Sequence, residues 1–355
     1  MTILDRYIWR AMAAGTLLVM SVLLALSGFV NFVQQVDHIG TAHYQLPQAM
    51  TYVLASLPRS AHEMLSIAVL LGTLHGLGAL AAKSELLVMR ASGLSVRRLA
   101  VAVFIAALGM MIVGLALGEL IAPSAQRYAS RMRTFSLNEE LSEAGGQNAW
   151  VKDGNQIINI QSQGDRETLG EVYIFTLDAD HKLASVTRAL SGGFGTGGTW
   201  SLYDLRESDF TAAGVVAGRE PRAQRPTGLR SELIELSVVD PDDLSSRALY
   251  SYIGYLRAQG LDTYSYELAF WFRIANDVSV LLMAALALPF VFGPLRSAGA
   301  GQRLMIGVLL GLAYFVGSHT LASSGAVFEL SPVLVGWLPV IVLSFVVLIG
   351  LMRVR

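Results

Sequence analysis

Few residues in this chain are of a type and spacing that could do chemistry. Its three lysines, Lys83, Lys152 and Lys182, follow Ala82, Val151 and His181. None completes the Gly-x-x-x-x-Gly-Lys-Ser/Thr loop, whose amides and lysine cradle nucleotide phosphates. Serines abound, but no Gly-x-Ser-x-Gly elbow follows an expected strand, so no nucleophile can be assigned. Cysteine is absent, which removes disulfides, thiolate metal sites and cysteine nucleophiles together. The six histidines are scattered at no metal-ligand spacing. The residues that remain are suited to pairing and docking, and no catalytic set emerges. Glu85 and Arg90 stand in a charged island, Lys83 to Ser95. Arg273 and Asp277 are four apart and share one helix face, either as an interface ion pair or as a contact for a polar ligand group. Arg127, Arg131 and Arg133 gather just beyond an apolar run, where they either meet lipid phosphates or form the solvated face of a connecting helix.

The elements that must position these residues are mostly membrane spans. The chain has 355 residues, 53% hydrophobic and 15% charged, with a mean hydropathy of +0.51. That composition suits a membrane protein with a soluble part. A net charge of −1 provides no basic excess for a nucleic-acid partner. Uncharged runs predict spans at 11–33, 60–82 (with 50–58 as an interfacial extension), 99–122, 278–295 (entered near Phe270 and kinked at Pro289), 304–328 and 333–352. Met1 to Arg10 reads as an amphipathic lead-in at the membrane surface. Glu119 and Pro123 end the third span. Gly72 and Gly76, Gly114 and Gly118, and Gly307 and Gly311 repeat a four-residue small-residue step that lets helices approach closely. His75, with no carboxylate at helical spacing, reads as a hydrogen-bonded packing residue.

Between the third and fourth spans the pattern changes to β. Segments at 150–152, 156–160, 171–177, 183–187 and 198–205 alternate polar and apolar residues, with turns at 152–155, 178–181 and 191–198 and a loop at 222–226. A helix from Ser246 to Gln259 follows, carrying Tyr250, Tyr252 and Tyr255 and ended by Gly260. The expected fold is a membrane α-helical bundle of six transmembrane helices with an inserted all-β jelly-roll domain. Its divisions are 1–123, 124–262 and 263–355.

Charge gives the orientation. Arg6, Arg10, Lys83, Arg90, Arg97, Arg98, Arg296, Arg303, Arg353 and Arg355 all fall on one side, whereas the short loops 34–48 and 329–332 contain neither Lys nor Arg. The basic side is cytoplasmic by the positive-inside rule. Both termini and the charged island then lie inside, with the β domain outside. The island itself suits a short helix capped by Ser84 and stopped by Gly93, with Glu85 and Arg90 placed to favour the helix dipole. It is either a docking element or an interfacial anchor. The large apolar residues of the first and fifth spans form either a packed or lipid-facing surface or an acyl-chain cavity.

The island Ser84-Glu85-Leu86-Leu87-Val88-Met89-Arg90-Ala91-Ser92-Gly93-Leu94-Ser95, the three-plus-three span layout with its β insert, and the opening Tyr7-Ile8-Trp9-Arg10 closely resemble the LptF/LptG permeases of the lipopolysaccharide exporter. The phrase Glu-Leu-x-Val-Met-Arg-Ala-Ser-Gly looks more like the LptG branch. The resemblance implies a Gram-negative inner-membrane permease paired with an LptF paralogue, an LptB ATPase dimer and the transmembrane helix and β-jelly roll of LptC. It implies that ATP and Mg are used by the partner ATPase, with no cofactor bound by this chain. It also implies a role in ATPase coupling for Glu85, Leu86, Met89 and Arg90. Leu26, Phe29, Val30, Val33, Tyr314, Phe315 and His319 would line the cavity and gate for lipopolysaccharide. Family members often carry lysines near the outer end of the first span; here that region reads Gln34-Gln35-Val36-Asp37, so Arg131 and Arg133 are the candidates for phosphate contact. A membrane-anchored envelope scaffold or sensor is the alternative reading. An ion-driven transporter would need a buried carboxylate near a span's centre, and none is expected.

Overall fold

The computed structural model describes residues 3–137, 148–162, 168–178, 180, 182–194, 199–211, 213–227, 240–292, 300–325 and 327–353. Arg296, Arg355 and the turn residues 195–198 lie outside these. Two compact units are present: Met1–Asp37, Ala49–Ala129 and Tyr264–Arg355 form one, and His38–Gln48 with Ser130–Thr263 form the other.

The first unit contains the helices α1 (Ile3–Val36), α2 (Leu46–Ala82), α3 (Glu85–Ala91), α4 (Val96–Ala116), the start of α5 (Ala122–Leu137), α7 (Tyr264–Phe292), α8 (Ala300–Gly325) and α9 (Pro332–Met352). Among the described residues, six helical stretches are long and apolar enough to cross a membrane. The surface lead-in expected at the N-terminus is instead the first turns of α1. Nothing breaks the helix at Arg10, and Ile8 and Met12, one turn apart, are buried in the bundle core. The interfacial extension expected at 50–58 is likewise continuous with α2, which runs through Pro58.

Pro123 does not end the third span either. α4 passes through a π-turn, Leu117–Ile121, into α5, which carries Pro123 in its first turn. Within that turn the Ala122 amide donates to the Leu117 carbonyl five residues back. Continuing this register, residue 123 would serve the Gly118 carbonyl, but proline has no N–H. Arg273 of α7 supplies the donor, with its Nη1 3.3 Å from that oxygen.

α2 is the hub, and small residues make it one. A Cβ added at Gly72 would land on the backbone of Thr16, one at Gly15 on the Gly72 carbonyl, and one at Gly76 on the Ala11 carbonyl. α1 and α2 therefore meet backbone to backbone. On other sides, Gly114 and Gly118 admit Leu65 and His62, and Gly307 and Gly311 admit Leu74 and Ile67. All three small-residue steps in the sequence are thus helix seams against α2. His75 is exposed, so the expected packing role falls to His62, which is buried.

In the second unit, six strands form one antiparallel sheet in chain order: β1 (Asn148–Asp153), β2 (Gln156–Ser162), β3 (Thr168–Leu177), β4 (Leu183–Phe194), β5 (Thr199–Thr211) and β6 (Gly214–Pro226). The alternation read in the sequence is the core face. Val151, Ile158, Ile160, Val172, Ile174, Ala189, Trp200, Leu202 and Leu205 are buried together, with Tyr255 of α6 (Ser246–Ala258) packed against them. The Tyr255 hydroxyl donates to the Lys152 carbonyl at 2.6 Å. Ser245 caps α6, accepting from the Ala248 amide, and Gly260 beyond its end takes a positive φ of 62°.

Two expectations fail here. Ser191 to Phe194 belong to β4, where Ser191 pairs with Tyr203, and are not part of a turn. Arg222 to Pro226 belong to β6 and are not a loop. Among the described residues β6 lies at the sheet's edge, where prolines and exposed charges are tolerated and no alternation is imposed.

Trp200 is 2% exposed. Trp200→Ala should cost the domain about 3–5 kcal/mol. Limited proteolysis in detergent should then cut within 148–226 far faster while the membrane helices stay protected.

Candidate docking site and membrane cavity

α3 is a seven-residue helix between two left-handed residues. Ser84 has φ 59°, and its hydroxyl makes no capping bond. The capping role expected of it is therefore corrected. Its amide closes α2 by donating to the Ala81 carbonyl at 3.0 Å, while its carbonyl accepts from Val88 at 3.0 Å. That backbone ends one helix and starts the next. At the other end Gly93, with φ 95°, terminates α3 as expected. The Leu94 amide donates to the Met89 carbonyl and the Gly93 amide to the Arg90 carbonyl, the paired bonds of a left-handed helix stop. The Ser95 hydroxyl then caps α4, accepting from the Arg98 amide at 3.2 Å.

The four coupling candidates separate by face. Leu86 is buried in the bundle core and Met89 packs against it, so these two hold α3 down. Direct contact with a partner through Leu86 is excluded in this arrangement. Leu87 and Val88 are exposed instead, with Glu85 and Arg90 half-buried at the margin. The Tyr7 hydroxyl of α1 donates to Glu85 Oε2 at 2.5 Å. Close by in sequence, Arg98 pairs with Asp5 of α1, Nη2 to Oδ1 2.6 Å.

The cavity candidates also separate. Leu26, Phe29, Val30 and Val33 form an exposed row on α1. α1 and α8 are the least covered of the six spans, 11% and 17% buried. On α8, however, Tyr314 is half-buried against the bundle core. Phe315 meets His319 at a tilt, ring centroids 4.3 Å apart, and His319 also meets Phe272 of α7 edge-on. The outward apolar residues of α8 include Met305, Val308, Leu309, Leu312 and Val316. Arg131 is exposed and Arg133 half-buried on the last turns of α5, in the second unit. Arg303, expected in a loop, is buried in the first turn of α8 with Nη2 3.5 Å from the Gly78 carbonyl.

The expected Arg273–Asp277 pair is replaced by contacts between helices. Arg273 reaches the Gly118 carbonyl and, at 3.5 Å, Glu119. Asp277 is buried midway along α7, 3.9 Å from His62 Nδ1. A buried carboxylate was not expected within a span; helical spacing along one chain segment does not reveal a partner on another. His62 Nδ1 lies 3.1 Å from the Gly114 carbonyl, to which it donates, and Asn276 donates to the His62 carbonyl. The π-turn, α2 and α7 are thus joined by a polar seam inside the bundle.

Spans interrupted by one folded β insert, with a structured connector between the second and third, define a multi-pass membrane protein with a short exposed helix between two spans and an open apolar face. A family model described as "Lipopolysaccharide export system permease LptF/LptG" matches residues 6–353, and the chain belongs to this family. It is similar to the lipopolysaccharide export system permease protein LptG of Escherichia coli strain K12, 32% identical over 339 residues, 95% of this chain and 94% of the relative. It is also similar to the LptG protein of Haemophilus influenzae strain Rd, 30% identical over 349 residues, 98% and 96% of the two chains. The branch resembled by the island is the branch these relatives carry. Six apolar helices and this family make the chain a multi-pass inner-membrane protein.

Proposed function

We propose that the chain is the non-catalytic membrane subunit of an ATP-driven lipopolysaccharide exporter. Its basic loops and both termini are cytoplasmic, so α3 faces a partner ATPase and the β domain is periplasmic. An LptB dimer hydrolyses ATP with Mg and docks on α3 through Leu87, Val88, Glu85 and Arg90, which rest on Leu86 and Met89. Lipopolysaccharide leaves the membrane between the open faces of α1 and α8 and those of an LptF paralogue, with the LptC helix nearby. Arg131 and Arg133 receive lipid phosphates. The β domain continues the route by adding its edge to the next β-jelly roll. The observation that carries this reading is α3. A seven-residue helix does not hold itself in water, yet this one is anchored from within and leaves two apolar side chains outside.

The test is purification from native membranes in mild detergent, followed by ATPase assays with and without lipopolysaccharide. A co-purifying ATPase and second six-span chain, with turnover that responds to lipopolysaccharide, is the expected result. A chain that purifies alone and without hydrolysis overturns the reading in favour of an envelope scaffold.

A further inference from the structure

We infer that Tyr7 and Asp5 are positioning residues for the docking helix, and that α1 is tied to α3 through space and not only through α2. This rests on the proposed docking role of Glu85. Both ends of α3 turn through single left-handed residues, Ser84 and Gly93, which set the direction of its backbone. Leu86 fixes its depth in the bundle. Neither feature fixes where the Glu85 carboxylate points. The Tyr7 hydroxyl does so by taking Oε2 at 2.5 Å. A carboxylate accepts at both oxygens, and Oε1 makes no bond among the described residues. Tyr7 therefore holds one oxygen and presents the other to a cation arriving from outside the membrane.

Asp5 makes the arrangement rigid. Its side chain is 6% exposed and faces Arg98 at 2.6 Å, just where α4 begins. A charge at that depth is retained only when paired. Trp9 lies against Gly109 of α4, and Ile8 and Met12 are buried in the bundle core. The first turns of α1 are thus clamped to α4 on one side and bonded to α3 on another. The same helix carries the exposed row Leu26, Phe29, Val30 and Val33. A push on α3 reaches α1 directly at Tyr7, without passing along the whole length of α2.

The test uses the complete exporter complex in lipid nanodiscs. Lipopolysaccharide released per ATP hydrolysed is measured for wild type, Tyr7→Phe, Glu85→Gln and the double variant, at matched amounts of assembled complex. Tyr7→Phe keeps the ring and loses only the donor. It should lower the ratio about three- to tenfold, within the net range of one ordinary hydrogen bond, because this bond is open to solvent. In the Glu85→Gln background it should add nothing further. A wild-type ratio for Tyr7→Phe, or independent multiplying losses in the double variant, overturns the positioning role. Glu85→Gln with a wild-type ratio removes the docking reading itself, whatever Tyr7 does. Should Asp5→Asn fail to accumulate, Asp5→Glu retains the charge and should restore both assembly and the ratio.

Discussion

A Glu85→Arg chain is expected to insert, fold and accumulate as wild type does, and to export no lipopolysaccharide. Folding survives because Glu85 is half-buried and its one described bond is to Tyr7, while Leu86 and Met89 keep α3 seated. Export fails for two reasons that add. The variant removes the acceptor that Tyr7 orients. It also places a cation where the docking reading requires an anion. At about 4 Å and an effective dielectric of 20, a unit pair is worth about 4 kcal/mol, so reversal turns an attraction of that order into a repulsion. The loss of coupled release should exceed about a hundredfold, since every 1.4 kcal/mol is a factor of ten. Reconstituted export and growth under depletion of the native chain both measure it. Normal export by this variant sinks the docking role of α3.

The second large effect is structural. Gly72→Val should prevent the bundle from forming. Any Cβ at Gly72 meets the Thr16 amide and Cα, which are backbone and cannot swing aside. The helices must part, and α2 is also the surface against which Gly114, Gly118, Gly307 and Gly311 are fitted. Overpacking usually costs about 1–3 kcal/mol. Here the clash is with backbone at a hub, so the cost should reach or pass the upper end of that range. Fluorescence-detected size exclusion should show aggregate in place of a single peak. Gly254→Ala is the control, since nothing lies within 4 Å of a Cβ there. A monodisperse Gly72→Val peak with the wild-type Tm would show that the α1–α2 seam is not a close one.

The three glycine steps were legible because close approach in a membrane needs small residues at helical spacing, and that is a local property of the sequence. α3 was legible because charge interrupts two apolar runs. β1 to β5 alternated because one face is buried; β6 did not, because a strand at the edge of the described sheet with Pro221 and three arginines among thirteen residues has little to bury. Tyr7 and Glu85 are 78 positions apart, and nothing local in either segment names the other. The same holds for Arg273, whose partners Gly118 and Glu119 are more than 150 positions away. Pro123 reads as a helix stop from sequence, and becomes a helix residue only because the π-turn before it and the guanidinium beside it absorb the missing donor.

That π-turn also sets a phase. One extra residue in a turn advances all that follows by about 100° around the axis. Pro123, Gln126 and Ala129 face inward on α5, and Arg127 outward, only because of that advance. Without it, the inward stripe would swing sideways and Arg127 would sweep round with it. The heading of the first turns of α5 is thus written not in α5 itself but in the five residues Leu117 to Ile121, which work as an angular offset between one helix and the next.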